Sequence, residues 1–288
     1  MPNAVGDPPV GLPEGKPARE SGRGAALRRG RAGTIWCLLV PVAVLGGYLV
    51  LVLICSAWVT SPVLAGTIAG AVVVILFGGV RLLRPAWLNF GPEFLPAAAT
   101  RRFWPGVALT FVLMFLAGQT AAAWIYTHLG STGFDQHVQT KQSSGIVLSL
   151  LVSLLVAPIV EETLFRGLLY PMLRKKTGAV VAAVLSSLLF AAMHGNAVQA
   201  VAVIPLGLVL ALVAERTRRI WPCVVLHLAY NFAAMMLPQA AIQAMSTPLC
   251  IGLFGAAWAV LLVLLARQVL SVEITDRIAE PRARVKTE

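Results

Sequence analysis

Charge is what this sequence has least of. Asp, Glu, Lys and Arg make up only 12% of its 288 residues, against about 25% in an ordinary soluble domain. With 58% hydrophobic residues and a mean hydropathy of +0.81, that scarcity excludes a soluble globular chain and indicates a polytopic membrane protein. Acids are scarcer still, 12 against 23 bases, for a net charge of +11. The bases sit in short clusters between apolar runs and do not line one face. That pattern belongs to topology determinants and excludes nucleic acid as a partner. Cysteine is also sparse: Cys37, Cys55, Cys223 and Cys250 fall in apolar stretches with no CxxC or Cys/His spacing, and read as small buried hydrophobes. There is no internal repeat, no glycine-rich phosphate loop and no HExxH.

What is present is a series of apolar runs of spanning length, at 35–57, 62–82, 104–127, 145–173, 179–196, 197–214, 220–237 and 248–267. The fifth and sixth are parted only by the polar neighbourhood of Gly195-Asn196. Bases cluster before the first run, at 81–102, at 174–176, at 216–219 and after the last run. The alternate connections 58–61 and 238–247 have none, and 128–144 has only Lys141. The positive-inside rule then predicts an all-α membrane protein of about eight transmembrane helices, with both termini cytosolic.

Three parts follow: a disordered basic tail over 1–34, a transmembrane domain over 35–270 and a charged tail over 271–288. The Pro-rich connection 85–103 is expected on the cytosolic interface. Trp36, Trp58, Trp87, Trp104, Trp124 and Trp221 lie near span ends or in that connection, as interfacial anchors do. Gly66 and Gly70 form one GxxxG, a weak signal for close packing.

Against this background the run Glu161-Glu162-Thr163-Leu164-Phe165-Arg166-Gly167 stands out. A charge at a bilayer centre costs roughly 2.5–3.5 kcal/mol on insertion scales, so three together must pair or face a wet cavity. Glu162 and Arg166 have the favourable i, i+4 order for an ion pair, whereas Glu161 lies about 100° around the helix and is left free. Apolar surroundings suit Glu161 to proton transfer near neutral pH.

His194 ends the fifth span, and His227 and Asn231 share one face of the seventh. In a hairpin turning near Thr177-Gly178, Glu161 and His194 are each about 16 residues from the turn and share a depth. His227 is only about 9 residues past the next cytosolic turn, so this hairpin must project past the membrane face by about 10 Å for all of them to meet. The expected site then lies between the fourth, fifth and seventh helices, near the cytosolic face. His128 and His137, in the outer connection, read as ordinary polar residues.

The three patterns Glu161-Glu162-x-x-x-Arg166, Phe190-x-x-x-His194 and His227-x-x-x-Asn231, in order over a core of 140–235, resemble the CPBP family. That family comprises CAAX-type prenyl endopeptidases and bacteriocin-processing or immunity relatives, and includes the eukaryotic Ras-converting enzyme. The resemblance implies an intramembrane endopeptidase. Glu161 would be the general base, His194 would hold the water and protonate the leaving amine, and His227 and Asn231 would be oxyanion donors, with Glu162 and Arg166 in support. Glu161, His194 and His227 also match a His₂Glu zinc set. Asn231 is a poor zinc ligand and a good amide donor, which favours metal-free glutamate chemistry.

The expected partners are the bilayer and a peptide or lipid-modified protein substrate. The Ala/Arg-rich composition suggests a bacterial plasma membrane. The end Val285-Lys286-Thr287-Glu288 is no prenylation motif, so the chain is not itself expected to be prenylated. Two other readings remain: a proton- or cation-coupled transporter, to which Pro158 lends some support, and a non-catalytic immunity or scaffold protein of the same fold.

Overall fold

The computed structural model describes residue 39 and residues 42–83, 103–175 and 177–284, with side chains as far as Val269. The tail 1–34, most of the 85–103 connection, Trp36 and Trp87 lie outside the described residues. Every regular element among the described residues is helical. In chain order these are α1 (Val42–Trp58), α2 (Pro62–Leu83), α3 (Phe103–Leu129), α4 (Thr132–Ser143), α5 (Ile146–Arg174), α6 (Ala179–Ala192), α7 (Ala197–Thr217), α8 (Trp221–Met236), α9 (Gln239–Ala244) and α10 (Pro248–Arg284).

Five stretches are long and apolar enough to cross a membrane: α2, α3, α5, α7 and Pro248–Val269 of α10. The apolar helices α1, α6 and α8 are shorter. α10 continues without a break through 271–284, the stretch that the sequence assigned to a charged tail.

α7 is the axis of the bundle, and its residues from Val209 to Thr217 are all buried. Small residues let its neighbours approach. A Cβ on Gly118 of α3 would stand 2.5 Å from the Ala202 carbonyl oxygen, so only glycine fits that crossing. Of the GxxxG pair in α2, only Gly70 makes a close approach, against Val160 of α5, and Gly66 faces open space. Asn196 starts α7 by accepting the Gln199 N–H on its side chain. The preceding reversal needs φ +71° at Gly195, a conformation glycine adopts without strain. α6 and α7 are thus two helices divided at 193–196.

α5 is not a uniform helix. Two wide π-helical segments, Val152–Val156 and Thr163–Leu169, flank one α-helical stretch, Ala157–Glu162. Each wide segment ends two residues before a proline, Pro158 or Pro171. A proline ring collides with the carbonyl four residues back and offers no N–H, and widening the turn relieves both problems.

The two ends of the bundle differ in charge. At one end Glu215 of α7 accepts from Tyr170 and Arg174 of α5 and from Arg218, at 2.6, 3.2 and 3.1 Å. The start of α8 lies there too, with Ile220 close to Gly167 and Phe77. At the other end lie α4, the 193–196 reversal against Gly133, and α9. α4 lies in the 128–144 connection, which carries no apolar run, and Ser131 caps it by accepting the Phe134 N–H.

Candidate active site

The two acids occupy different environments. Glu162 is fully buried, and its Oε1 accepts from Arg166 Nη1 at 3.1 Å and pairs with His227 Nδ1 at 2.8 Å. Arg166, also fully buried, spends Nη2 on the Gly207 carbonyl at 2.9 Å and stacks on Phe190, its Cζ 4.8 Å from the ring centroid. One guanidinium therefore joins α5, α6 and α7. The ion pair foreseen for Glu162 and Arg166 is present, with His227 as a third member.

Glu161 is 31% exposed. Its Oε2 has no hydrogen-bond partner and lies 3.7 Å from His227 Nε2, too far for a direct bond. His227 thus stands between the two carboxylates, tied to one and facing the other. The Phe190 ring holds both histidines edge-on, at 5.2 Å from His194 and 5.6 Å from His227. That contact accounts for the Phe in the Phe190-x-x-x-His194 pattern. His194 sits on the reversal after α6, with Nδ1 3.0 Å from the Phe190 carbonyl. No hydrogen bond joins its Nε2 to a described residue.

Asn231 makes a contact that its spacing did not reveal. Its Nδ2 donates to the Ser153 carbonyl at 2.8 Å. In the wide turn the Ala157 N–H reaches back five residues to Val152. The next bond in that register would run from residue 158 to Ser153, but residue 158 is proline. Asn231 supplies the missing donor from α8. An Asn amide has two N–H groups, so one remains.

Glu161, His194, His227 and Asn231 line one cavity of about 810 Å³. Its walls also include Gln119, Tyr126 and Tyr230 and residues of α4 and α9. Among the described lining residues none is an arginine.

His137, read as ordinary from sequence, and Lys141, both on α4, line the same cavity. Burial, with lesser contributions from the Lys141 and His194 charges, pushes the His137 imidazole down to about 4. Burial lowers the Lys141 ammonium, partly offset by Glu161. Tyr230 was also missed. Its hydroxyl donates to the Ala202 carbonyl at 2.8 Å and accepts from Gln119 Nε2 at 2.9 Å. Only its place one residue before Asn231 hinted at this.

The zinc set of Glu161, His194 and His227 does not fit as it stands. Among the described residues no three acid, His or Cys side chains gather closely enough to hold an ion.

A family profile described as "Type II CAAX prenyl endopeptidase Rce1-like" matches residues 143–233, a stretch that contains every residue of the site. A relative in Bacillus subtilis (strain 168), "Putative membrane peptidase YdiL", is 27% identical over 126 residues, or 43% of this chain and 52% of that protein. The match thus spans about half the length of this curated relative. No solved structure matches the chain. The segment matched by the profile carries the acid pair with its arginine, both histidines and Asn231 in unbroken order, and it is there that the chain is similar to Rce1-like endopeptidases.

Proposed function

We propose that this protein is an intramembrane endopeptidase that uses Glu161 to activate water against a peptide bond of a CAAX-type or other membrane-associated substrate. The observation that carries this reading is the split of the acid pair. Glu162 is fully buried and fixed by Arg166 and His227, while the Glu161 side chain lines the cavity and keeps part of its surface exposed. The nucleophile in this reading is a water on the exposed side of the Glu161 carboxylate, in the cavity that it lines.

In the proposed reaction Glu161 takes a proton from that water while the oxygen bonds to the carbonyl carbon. The oxyanion accepts from His227 Nε2–H and from the second N–H of Asn231. The C–N bond then breaks as His194 protonates the amine, leaving a carboxylic acid and an amine, and the proton taken up by Glu161 passes back to His194. The reading is metal-free.

Eight spans with both termini cytosolic complete the proposal, from the five long and three shorter apolar helices and the charge bias. A transporter reading would want paired interrupted helices. Among the described residues α5 alone carries such wide segments.

The test is cleavage of a fluorogenic peptide set, one member farnesylated, by wild type and Glu161→Gln. The expected loss is about 100–10,000-fold with folding unchanged. Turnover that survives the substitution would sink the mechanism.

A further inference from the structure

A second, smaller cavity of about 230 Å³ lies between α1, α2, α4 and α5. It shares six lining residues with the large one: His137, Lys141, Val152, Ser153, Ala157 and Glu161. Glu161 therefore borders both.

Gly66 helps to open this space. Its partner in the GxxxG pair, Gly70, packs against Val160, but a Cβ on Gly66 would meet nothing within 4 Å. The glycine that helix packing leaves unexplained lines the small cavity.

No hydrogen bond joins the Glu161 carboxylate to a described residue, and its Oε2 stands 3.7 Å from His227 Nε2. An ionised carboxylate needs donors around it, and water is the donor left to this one. A substrate seated in the large cavity displaces water there. The small cavity is then the remaining side from which water reaches Glu161.

The lining suits water. Val63, Val156 and Val160 form an apolar part of the wall, and Tyr48, Thr140, Ser149 and Lys141 add polar groups to Glu161. The Thr140 and Ser149 hydroxyls donate to the Gln136 and Lys141 carbonyls at 2.8 and 2.6 Å, which leaves their lone pairs for water. No hydrogen bond joins the Tyr48 hydroxyl or the Lys141 ammonium to a described residue. A bound water needs two to four polar partners, and at about 30 Å³ per molecule the space holds several. An acyl chain or an apolar side chain would fill it but strip water from Lys141 and Glu161, which is costly for charged groups.

We propose that the small cavity is a water site. Molecules held between Tyr48, Thr140, Lys141 and Glu161 hydrate the carboxylate and replace the water consumed in each turnover while substrate fills the large cavity. The part in turnover rests on the peptidase reading, whereas the water site does not.

Radiolytic hydroxyl-radical labelling, which marks side chains beside bound water, tests the site without any turnover. It is expected to modify Tyr48 well above the buried Tyr170 and Tyr230. Gly66→Leu fills the space and should cut Tyr48 labelling several-fold. Gly78→Leu, in the same helix, also meets nothing within 4 Å, lines neither cavity and should change nothing. Tyr48 labelling no greater than that of the buried tyrosines, or unchanged in Gly66→Leu, overturns the proposal.

In peptide cleavage Gly66→Leu should lower kcat about 10–100-fold, the worth of one hydrogen bond to a charged group, with KM unchanged. Tyr48→Phe keeps the volume but removes one partner for water. It should lower kcat several-fold, and it supplies the kinetic result if Gly66→Leu does not fold. A changed side-chain preference or a raised KM at unaltered kcat would make the cavity a seat for part of the substrate and overturn the water site. Labelling as expected in a wild-type protein that cleaves nothing would uphold the water site and retire the peptidase reading alone.

Discussion

Arg166→Met isolates what the buried charge cluster contributes. The substitution keeps side-chain length but removes the guanidinium from a fully buried Glu162 3.1 Å away. Breaking a buried pair by deleting one partner costs about 3–5 kcal/mol, because the surviving charge is left uncompensated. The Gly207 carbonyl loses its donor and Phe190 its stacked cation. These losses share one side chain and do not add fully, so the expected destabilisation stays near about 3–5 kcal/mol.

The companion Glu162→Gln/Arg166→Met removes both charges and should recover most of that stability. It should not recover activity, since His227 Nδ1 then faces a neutral amide and its orientation toward Glu161 slackens. Stability is read from reversible unfolding in mixed detergent micelles, and activity from peptide cleavage in the same preparation. An Arg166→Met protein within about 1 kcal/mol of wild type, in the range of ordinary surface substitutions, would refute the reasoning. A double variant as unstable as the single one would refute it equally.

Asn231→Ala should cost about 1–3 kcal/mol by orphaning the Ser153 carbonyl, and much less in a Pro158→Ala background, where residue 158 regains an N–H. A double-mutant cycle on unfolding midpoints that showed no coupling would contradict the assignment. His137 titrates at about 4 in the folded protein against 6.5 when unperturbed. The folded state therefore binds fewer protons, and this contribution to stability is present above about 6.5 and lost as pH falls toward 4. His137→Asn should flatten that part of the stability–pH curve, and an unchanged slope would remove His137 from the account. Metal-free chemistry predicts that prolonged chelator treatment leaves turnover intact, whereas loss restored by zinc would establish a metal site.

The sequence showed which residues meet more clearly than how they are held. Intramembrane charges are so costly that Glu161, Glu162 and Arg166 announce themselves, and i, i+4 spacing alone pairs the last two. Neutral groups carry no comparable penalty signal. Gln139 and Gln243 look like ordinary polar loop residues until α4 and α9 fold over the cavity, and Tyr230 looks like packing.

Pro158 shows how a local constraint can organise the site. In a regular helix it would be a defect three residues before Glu161. Here the turn ahead of it widens, which exposes the Ser153 carbonyl, and the Asn231 amide closes on that carbonyl from α8. Because Asn231 is one turn from His227 on the same face, the same contact sets the height at which His227 meets Glu161 and Glu162. The second N–H of Asn231 is then held by a bond to backbone, so its direction does not depend on substrate. A donor fixed in advance stabilises developing charge without reorganising when the reaction occurs. The proline that interrupts α5 and the asparagine that ends the His227-x-x-x-Asn231 pattern therefore act as one device, with positioning as its first consequence and any oxyanion contact built on that.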